Sequence, residues 1–445
     1  MRFPGPVDAE KVLEHVPEGA DVIVPLANGE PVTVLDALEA GHERLRGVRV
    51  HQMHAVHERG YFHGHCGDHL RHVSYFLSSA TRPAYWEGSI DLVPANFSEM
   101  PRTLRHCTGC SLVVAAASPP DEHGHFSLGT NADYVAPLIG NVPFFLEVSE
   151  RMPRTFGLNQ IHISQVAGWC EAAYDLVEVP PVLPDERDEA IARRVVERIP
   201  EGATLQAGIG GVPNAVMAYL RDFRDLGIHT ELISDGIVDL MERGVVTGVH
   251  KRIRRNKVVG TFALGTRRVY EAMDHNAAIE MLPVDYVNDP RVIAREPKFV
   301  SVNATTEVDL YGQCASETVA GRYWSSSGGQ ADFARGAMYS DGGQGFIVLR
   351  STTRTGRSRI RARLTEGSVV TTLKNTVDNV VTEYGLAELR GASIAKRARA
   401  LIWIAHPDHR DELEREAQAA GIIPAPVAVS RPHGERRAHA TAPTG

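Results

Sequence analysis

The sequence predicts an α/β protein built as two related open α/β domains in one chain. Two observations carry that reading: a segment that recurs with the same punctuation, and an order of elements in each copy that sets a helix before a buried strand. Residues 10–21 read EKVLEHVPEGAD, and residues 193–204 read RRVVERIPEGAT. Matching the shared Pro-Glu-Gly-Ala pairs Val12 with Val195, Glu14 with Glu197, Val16 with Ile199 and Pro17 with Pro200. In each copy, apolar residues at helical spacing lead into a Pro/Gly turn, then an apolar run (DVIVPL or TLQAGI), then a glycine-bearing loop. Helix, turn, strand and loop make the unit of an α/β domain. At 445 residues, 43 % of them hydrophobic, the chain can fill two such cores.

The break between the halves is expected within 177–190, VEVPPVLPDERDEA. Its prolines exclude a regular helix or central strand, and the acidic cluster after Pro184 suits the first turn of the next helix. The predicted division is therefore an N-terminal α/β domain over 1–180 and a C-terminal one over 181–423. Further strands are predicted within 257–265, 298–312, 345–350 and 368–373, with a closing helix over 406–420. The Pro-, Ala- and Arg-rich segment 424–445 is expected to be a disordered tail.

Composition removes several classes of function. No run approaches the roughly 20 uncharged apolar residues of a membrane span. A formal net charge of −8 argues against a nucleic-acid binder. The start, MRFPGPVDAEKVLEHV, lacks the basic-then-apolar order of a secretory leader, and five sparse cysteines suit a reducing compartment, so a cytoplasmic protein is expected.

Three features of the second half carry chemistry. In QAGIGGVPNAV (206–216) a strand ends in glycines where a helix begins. Backbone N–H groups at such a turn can face an anionic or polarised oxygen, although a plain turn reads the same way. A dinucleotide fingerprint would need glycine at position 213, which is Pro213, so that version fails. In GIHTELISDGIVDLMERG (227–244), Glu231 sits among apolar and small residues just before Ser234-Asp235-Gly236; a surface or capping carboxylate is the plain alternative. In WSSSGGQADFARGA (324–337), a second Gly-rich loop follows three serines. Two glycine turns with a carboxylate between them in sequence form a candidate thioester-handling site, unless Gly328 and Gly329 serve only a tight turn.

The segments HTELISDGIVDL, LPVDYVNDPRVIA (282–294), VDLYGQCASE (308–317), GGQADFARGA (328–337), VVTEYGLAELRG (380–391) and RARALIWIAHP (397–407) resemble the acetyl-CoA hydrolase/transferase family. They are most similar to its 4-hydroxybutyrate and butyrate:acetate CoA-transferase branch, as are SPPDEHGHFSLGTNADY (118–134) and IHISQV (161–166). The likeness runs over about residues 10–420. It implies the CoA-transferase (NagB/RpiA-like) fold and transfer of CoA between an acyl-CoA and a short-chain carboxylate. Acetate, butyrate or 4-hydroxybutyrate is the type of acid implied, and the route is a ping-pong one through a glutamyl-CoA thioester. The nucleophile then falls on Glu231. The CoA-facing turn falls on Gln206, Ala207, Gly208, Ile209 and Gly210, with a further contact implied at Asn303, and the second CoA and oxyanion loop falls on Gly328 and Gly329. Another CoA position falls on Thr306, where this branch usually carries an aliphatic residue. No permanently bound cofactor and no metal are implied, CoA entering as substrate. A homo-oligomer, most simply a homodimer, is expected, with neither nucleic acid nor membrane as partner. An acyl-CoA hydrolase using the same glutamate is the first alternative, and a non-catalytic CoA-binding protein the second.

The acyl pocket is expected between the halves, with part of its lining near Asn131 and His162. The stretch YFHGHCGDHLRH (61–72) gathers His63, His65, Cys66, His69 and His72, but the spacing fits no common metal pattern and its role is left open. Cys107 and Cys110 form a single CxxC, read as ordinary small residues. HKRIRRNK (250–257) is read as a solvated hairpin rather than a phosphate site.

Overall fold

The computed structural model describes residues 5–208 and 210–424. Two twisted sheets organise it. The first has seven strands in the order Val166–Glu171, Phe144–Val148, Leu112–Ala117, Asp21–Val24, Val48–Met53, Leu70–Phe76 and Asp91–Leu92, all parallel. The second has six, in the order Gly227–Ile228, Thr204–Ala207, Phe299–Ala304, Gln344–Val348, Asn379–Thr382 and Gly385–Glu388, with only the last pair antiparallel. Central strands such as Leu112–Ala117 and Phe144–Val148 are buried along their whole length, as strands covered on both faces must be.

The two copies of the repeat occupy matching places. Each contributes an inner strand (Asp21–Val24 and Thr204–Ala207) lying between the next main-sheet strand of the chain and a later one. Val12 and Val195 are fully buried and Val16 and Ile199 nearly so, so the shared apolar spacing packs both lead-in segments onto their sheets. The segments differ in winding. Glu186–Val196 is an α-helix opened by an Asp185/Asp188 capping box, whereas Ala9–His15 is a 3₁₀ turn whose preceding Asp8 makes no capping bond.

The halves are not independent. The strand Phe156–Gly157 of the first half extends a small sheet formed by Val258–Gly260 and Ile279–Met281 of the second. Leu232, Leu264 and Val284 sit in the same apolar cluster as Ile23, Phe97 and Phe126. The predicted strand over 368–373 is corrected. That segment is loop, tied to Cys314 by a lone bridge at Thr372, because Thr371 and Thr372 spend their backbone N–H groups on the one Cys314 carbonyl. The closing helix is Pro407–Ala419. No helix among the described residues is long and apolar enough to cross a membrane. The segment expected as a disordered tail lies, from 425 on, outside the described residues.

Candidate active site

Glu231 stands between two short strands, Gly227–Ile228 and Leu232–Ile233, and its carbonyl accepts the N–H groups of Thr261 and Phe262 (3.1 Å each). The chain is therefore pinned on both sides of the side chain. Oε2 accepts a 2.7 Å hydrogen bond from Asn288 Nδ2, and the Gly329 amide beside it favours the charged carboxylate. A Cβ on Gly329 would overlap Glu231 Oε2 and Asn288 Nδ2, so only glycine lets the loop approach this closely.

Burial, reinforced by the nearby Asp332, pushes the Glu231 carboxyl up to about 7 against the opposing pull of Asn288. Asp332 is itself pushed up to about 7 by burial, although Ser98 donates to it from its backbone N–H (3.1 Å) and its hydroxyl (2.9 Å). Those bonds belong to a clasp between the halves. Phe97 N–H donates to Gly328 O (3.1 Å) and Ser327 Oγ to the Ala95 carbonyl (2.8 Å). Further out, Arg82 Nε donates to Trp324 O at 2.6 Å, with its guanidinium 3.8 Å above the Trp324 ring. The second glycine loop is thus held over Glu231 by the first half of the chain.

A cavity of about 190 Å³ opens at Glu231. Its second-half wall includes Gln206, Ala207, Gly208, Asn303, Gly328, Gly329 and Phe333, and its first-half wall is Leu26, Met53, His54, Phe76 and Phe97. Gln206 and Asn303 bond reciprocally through their amides (3.3 and 3.1 Å), which fixes both side chains at the cavity edge. Gly210 lies instead in the wall of an adjoining cavity of about 320 Å³ that also contains Arg187, Arg350, Arg354 and Arg359. Gly210 has φ +131°, a conformation open to glycine alone, and leads into the helix Gly211–Tyr219. Arg350 is committed to Asp188 through two bonds (2.8 and 2.6 Å), while Arg354 is exposed and Arg359 Nε is buried with no partner among the described residues. Such an arginine-lined recess beside a glycine turn suits a phosphate-bearing ligand.

Thus seven of the sequence-derived positions (Glu231, Gln206, Ala207, Gly208, Asn303, Gly328 and Gly329) meet around one cavity. Ile209 lies outside the described residues. Thr306 lines neither cavity, and its hydroxyl is taken up by the carbonyls of Ala315 (2.6 Å) and Thr318 (2.8 Å). The expected lining near Asn131 and His162 is corrected. Asn131 is buried behind the wall, bonding Leu26 O (2.9 Å) and Asp133 (2.8 Å), and His162 packs on His125 away from the cavity.

The histidine-rich stretch scatters its side chains. His72 is buried against Tyr61 and Phe62, His69 bonds Leu45 O (2.6 Å) and His63 lies between Glu58 and Glu87. Among the described residues, no group of three or more His, Cys, Asp or Glu is arranged to hold a metal. Cys107 and Cys110 are both free thiols. The basic run 250–257 is less solvated than expected, because Lys251 is buried and donates to Ile228 O (2.8 Å) and Lys257 O (2.9 Å). Sequence reasoning missed His54, Phe76 and Phe97, Asn288, Asp332 and the arginine recess; only the arginines, dense in RSTTRTGRSRIR (350–361), left a compositional signal.

Residues 6–183 match the acetyl-CoA hydrolase/transferase N-terminal domain and residues 265–417 its C-terminal domain. The chain belongs to the acetyl-CoA hydrolase/transferase family. Within that family it is 43 % identical to succinyl-CoA:cyclohexane-1-carboxylate CoA transferase of Geobacter metallireducens, over 94 % of this chain and 95 % of the relative. It is 38 % identical to 4-hydroxybutyrate coenzyme A transferase of Clostridium kluyveri, over 92 % and 96 %. The crystal structure of RipA from Yersinia pestis superposes with a TM-score of 0.89 at 35 % identity, covering 94 % of this chain and 98 % of that one. The chain is an enzyme of the CoA-transferase kind.

Proposed function

We propose that this enzyme moves CoA between an acyl-CoA and a small carboxylic acid, with Glu231 as both nucleophile and CoA carrier. The observation that carries the reading is a glutamate held by Asn288, with Gly329 close beside it, at the edge of a largely apolar cavity. A carboxylate in water is a weak nucleophile because hydration stabilises it; stripped of water and aimed at a carbonyl, it gains from proximity and desolvation.

In the first step a Glu231 carboxylate oxygen bonds to the thioester carbon and the C–S bond breaks, giving a mixed anhydride and CoA thiolate. The thiolate then attacks the glutamyl carbonyl carbon, and the first acid leaves as its carboxylate. What remains is a glutamyl-CoA thioester. A second carboxylate reverses both steps and departs as the new acyl-CoA. Each tetrahedral intermediate carries an oxyanion. The Gly329 amide, already directed at the Glu231 carboxylate, is one donor for it, and such a donor contributes about 3 kcal/mol. One thioester is exchanged for another, so the sequence of steps balances without a further reactant.

In this reading the division at about residue 180 has a purpose. The second half supplies nucleophile and glycine loops, and the first half supplies the apolar acyl wall. The cavity volume, about 190 Å³, corresponds to roughly half a dozen water volumes, which favours a short acyl chain. The arginine recess receives the phosphorylated end of CoA, whose binding energy is then available at the reacting carbon.

Incubation with an acyl-CoA and labelled acetate tests the proposal. Label entering the CoA thioester pool, dependent on Glu231 and on added carboxylate, is the expected result. Release of free CoA without exchange would instead assign the hydrolase alternative.

A further inference from the structure

On the first-half wall of the acyl cavity, His54 is the one titratable side chain among Leu26, Met53, Phe76 and Phe97. Its backbone is in the left-handed region, φ +50°, which is uncommon for any residue but glycine. Three bonds hold it there: His54 N–H donates to Phe76 O (3.0 Å), Ala27 N–H donates to His54 O (3.2 Å), and the preceding Met53 N–H donates to Tyr134 Oη (3.0 Å). The conformation turns the end of the strand Val48–Met53 so that its next side chain joins the cavity wall. There the imidazole packs beside Phe76, centroids 5.7 Å apart, and Phe76 lies in turn against Gly328 of the oxyanion loop. Among the described residues no hydrogen bond engages the ring nitrogens, whereas the amides of Gln206, Asn303 and Gln330 around the same cavity are all bonded. Burial holds the imidazole below its usual range, so at neutral pH it is uncharged, with one donor and one acceptor to offer.

Resting on the transferase reading, we infer that His54 sets acyl specificity by hydrogen-bonding an uncharged oxygen, a hydroxyl or keto group, on the acyl chain. In an otherwise apolar wall, a half-buried imidazole that a bound acyl chain covers and a plain alkyl tail leaves unpaired penalises that chain relative to one bearing the oxygen.

The test compares isosteric pairs that differ by CH₃ against OH: pentanoyl-CoA with 4-hydroxybutyryl-CoA, and 3-methylbutyryl-CoA with 3-hydroxybutyryl-CoA, each with acetate as acceptor. The wild-type enzyme should favour the hydroxyl member of at least one pair in kcat/KM. His54→Phe should lower that ratio by roughly three- to tenfold, the span of one neutral hydrogen bond. His54→Asn, which tolerates the same backbone conformation and retains a shorter amide, should lower it less. Each variant is read as a ratio, so a general loss of activity cancels. A ratio unchanged in both variants, or a wild-type preference for the alkyl member of both pairs, overturns the inference and leaves the transferase reading standing. Wild-type failure to exchange any of the four thioesters overturns both.

Discussion

The proposed attack on a thioester requires a charged Glu231, yet its surroundings favour the neutral acid. Burial and Asp332 push its carboxyl up to about 7, while Asn288 and the Gly329 amide pull the other way. The sign of the pH dependence follows. The reactive carboxylate is present above about 7, and kcat/KM should fall as pH drops through that value. The two polar neighbours shift this limb in opposite directions. Asn288→Ala removes a donor to the charged form and moves the limb to higher pH; Asp332→Asn removes a repelling carboxylate and moves it lower. Each displacement should be about half a unit to one unit, read from pH–rate profiles of the two variants beside the wild type. None of this was legible from local sequence. Only the family motif marks Glu231, and Asn288, 57 residues further on, is brought to it only by tertiary folding.

At the scale of elements, the glycine loop over Glu231 is a shared construction. Gly328 and Gly329 belong to the second half, but Phe97 and Ser98 of the first half bond to the same loop and to Asp332 at the start of its helix. The closest approach is at Gly329, where a Cβ has no room. Gly329→Ala should therefore reduce turnover by at least a hundredfold while far-ultraviolet circular dichroism and the melting temperature remain near wild type. A variant retaining a third of the activity would show that the loop need not come so close. Sequence spacing revealed both glycine loops because glycine pairs at strand ends are compositional signals. It revealed neither the clasp nor the failed strand over 368–373, because each depends on which carbonyls a distant segment leaves open.

At the scale of the whole molecule, the recurring segment was the most legible feature, since its punctuation repeats and its apolar positions are buried in both halves. What it concealed is how far the halves fuse, through Phe156–Gly157 and a shared apolar cluster. The predicted pocket between the halves formed, but its first-half wall came from strand ends at Met53 and Phe76 rather than from the loops near Asn131 and His162. Positive charge also collected elsewhere than in the run 250–257. Arg354 reaches the recess beside Gly210 from a loop after Gln344–Val348, so Arg354→Ala should raise KM for acyl-CoA about three- to tenfold, leave kcat nearly unchanged, and lose its effect as ionic strength increases.

The central claim is a covalent bond between Glu231 and CoA. Incubation with an acyl-CoA in the absence of acceptor acid, then borohydride reduction and peptide mass mapping, tests it directly. Conversion of residue 231 to its alcohol, dependent on the acyl-CoA and absent from Glu231→Gln, is the predicted result; reduction mapped to any other carboxylate, or full exchange activity in Glu231→Gln, would contradict it.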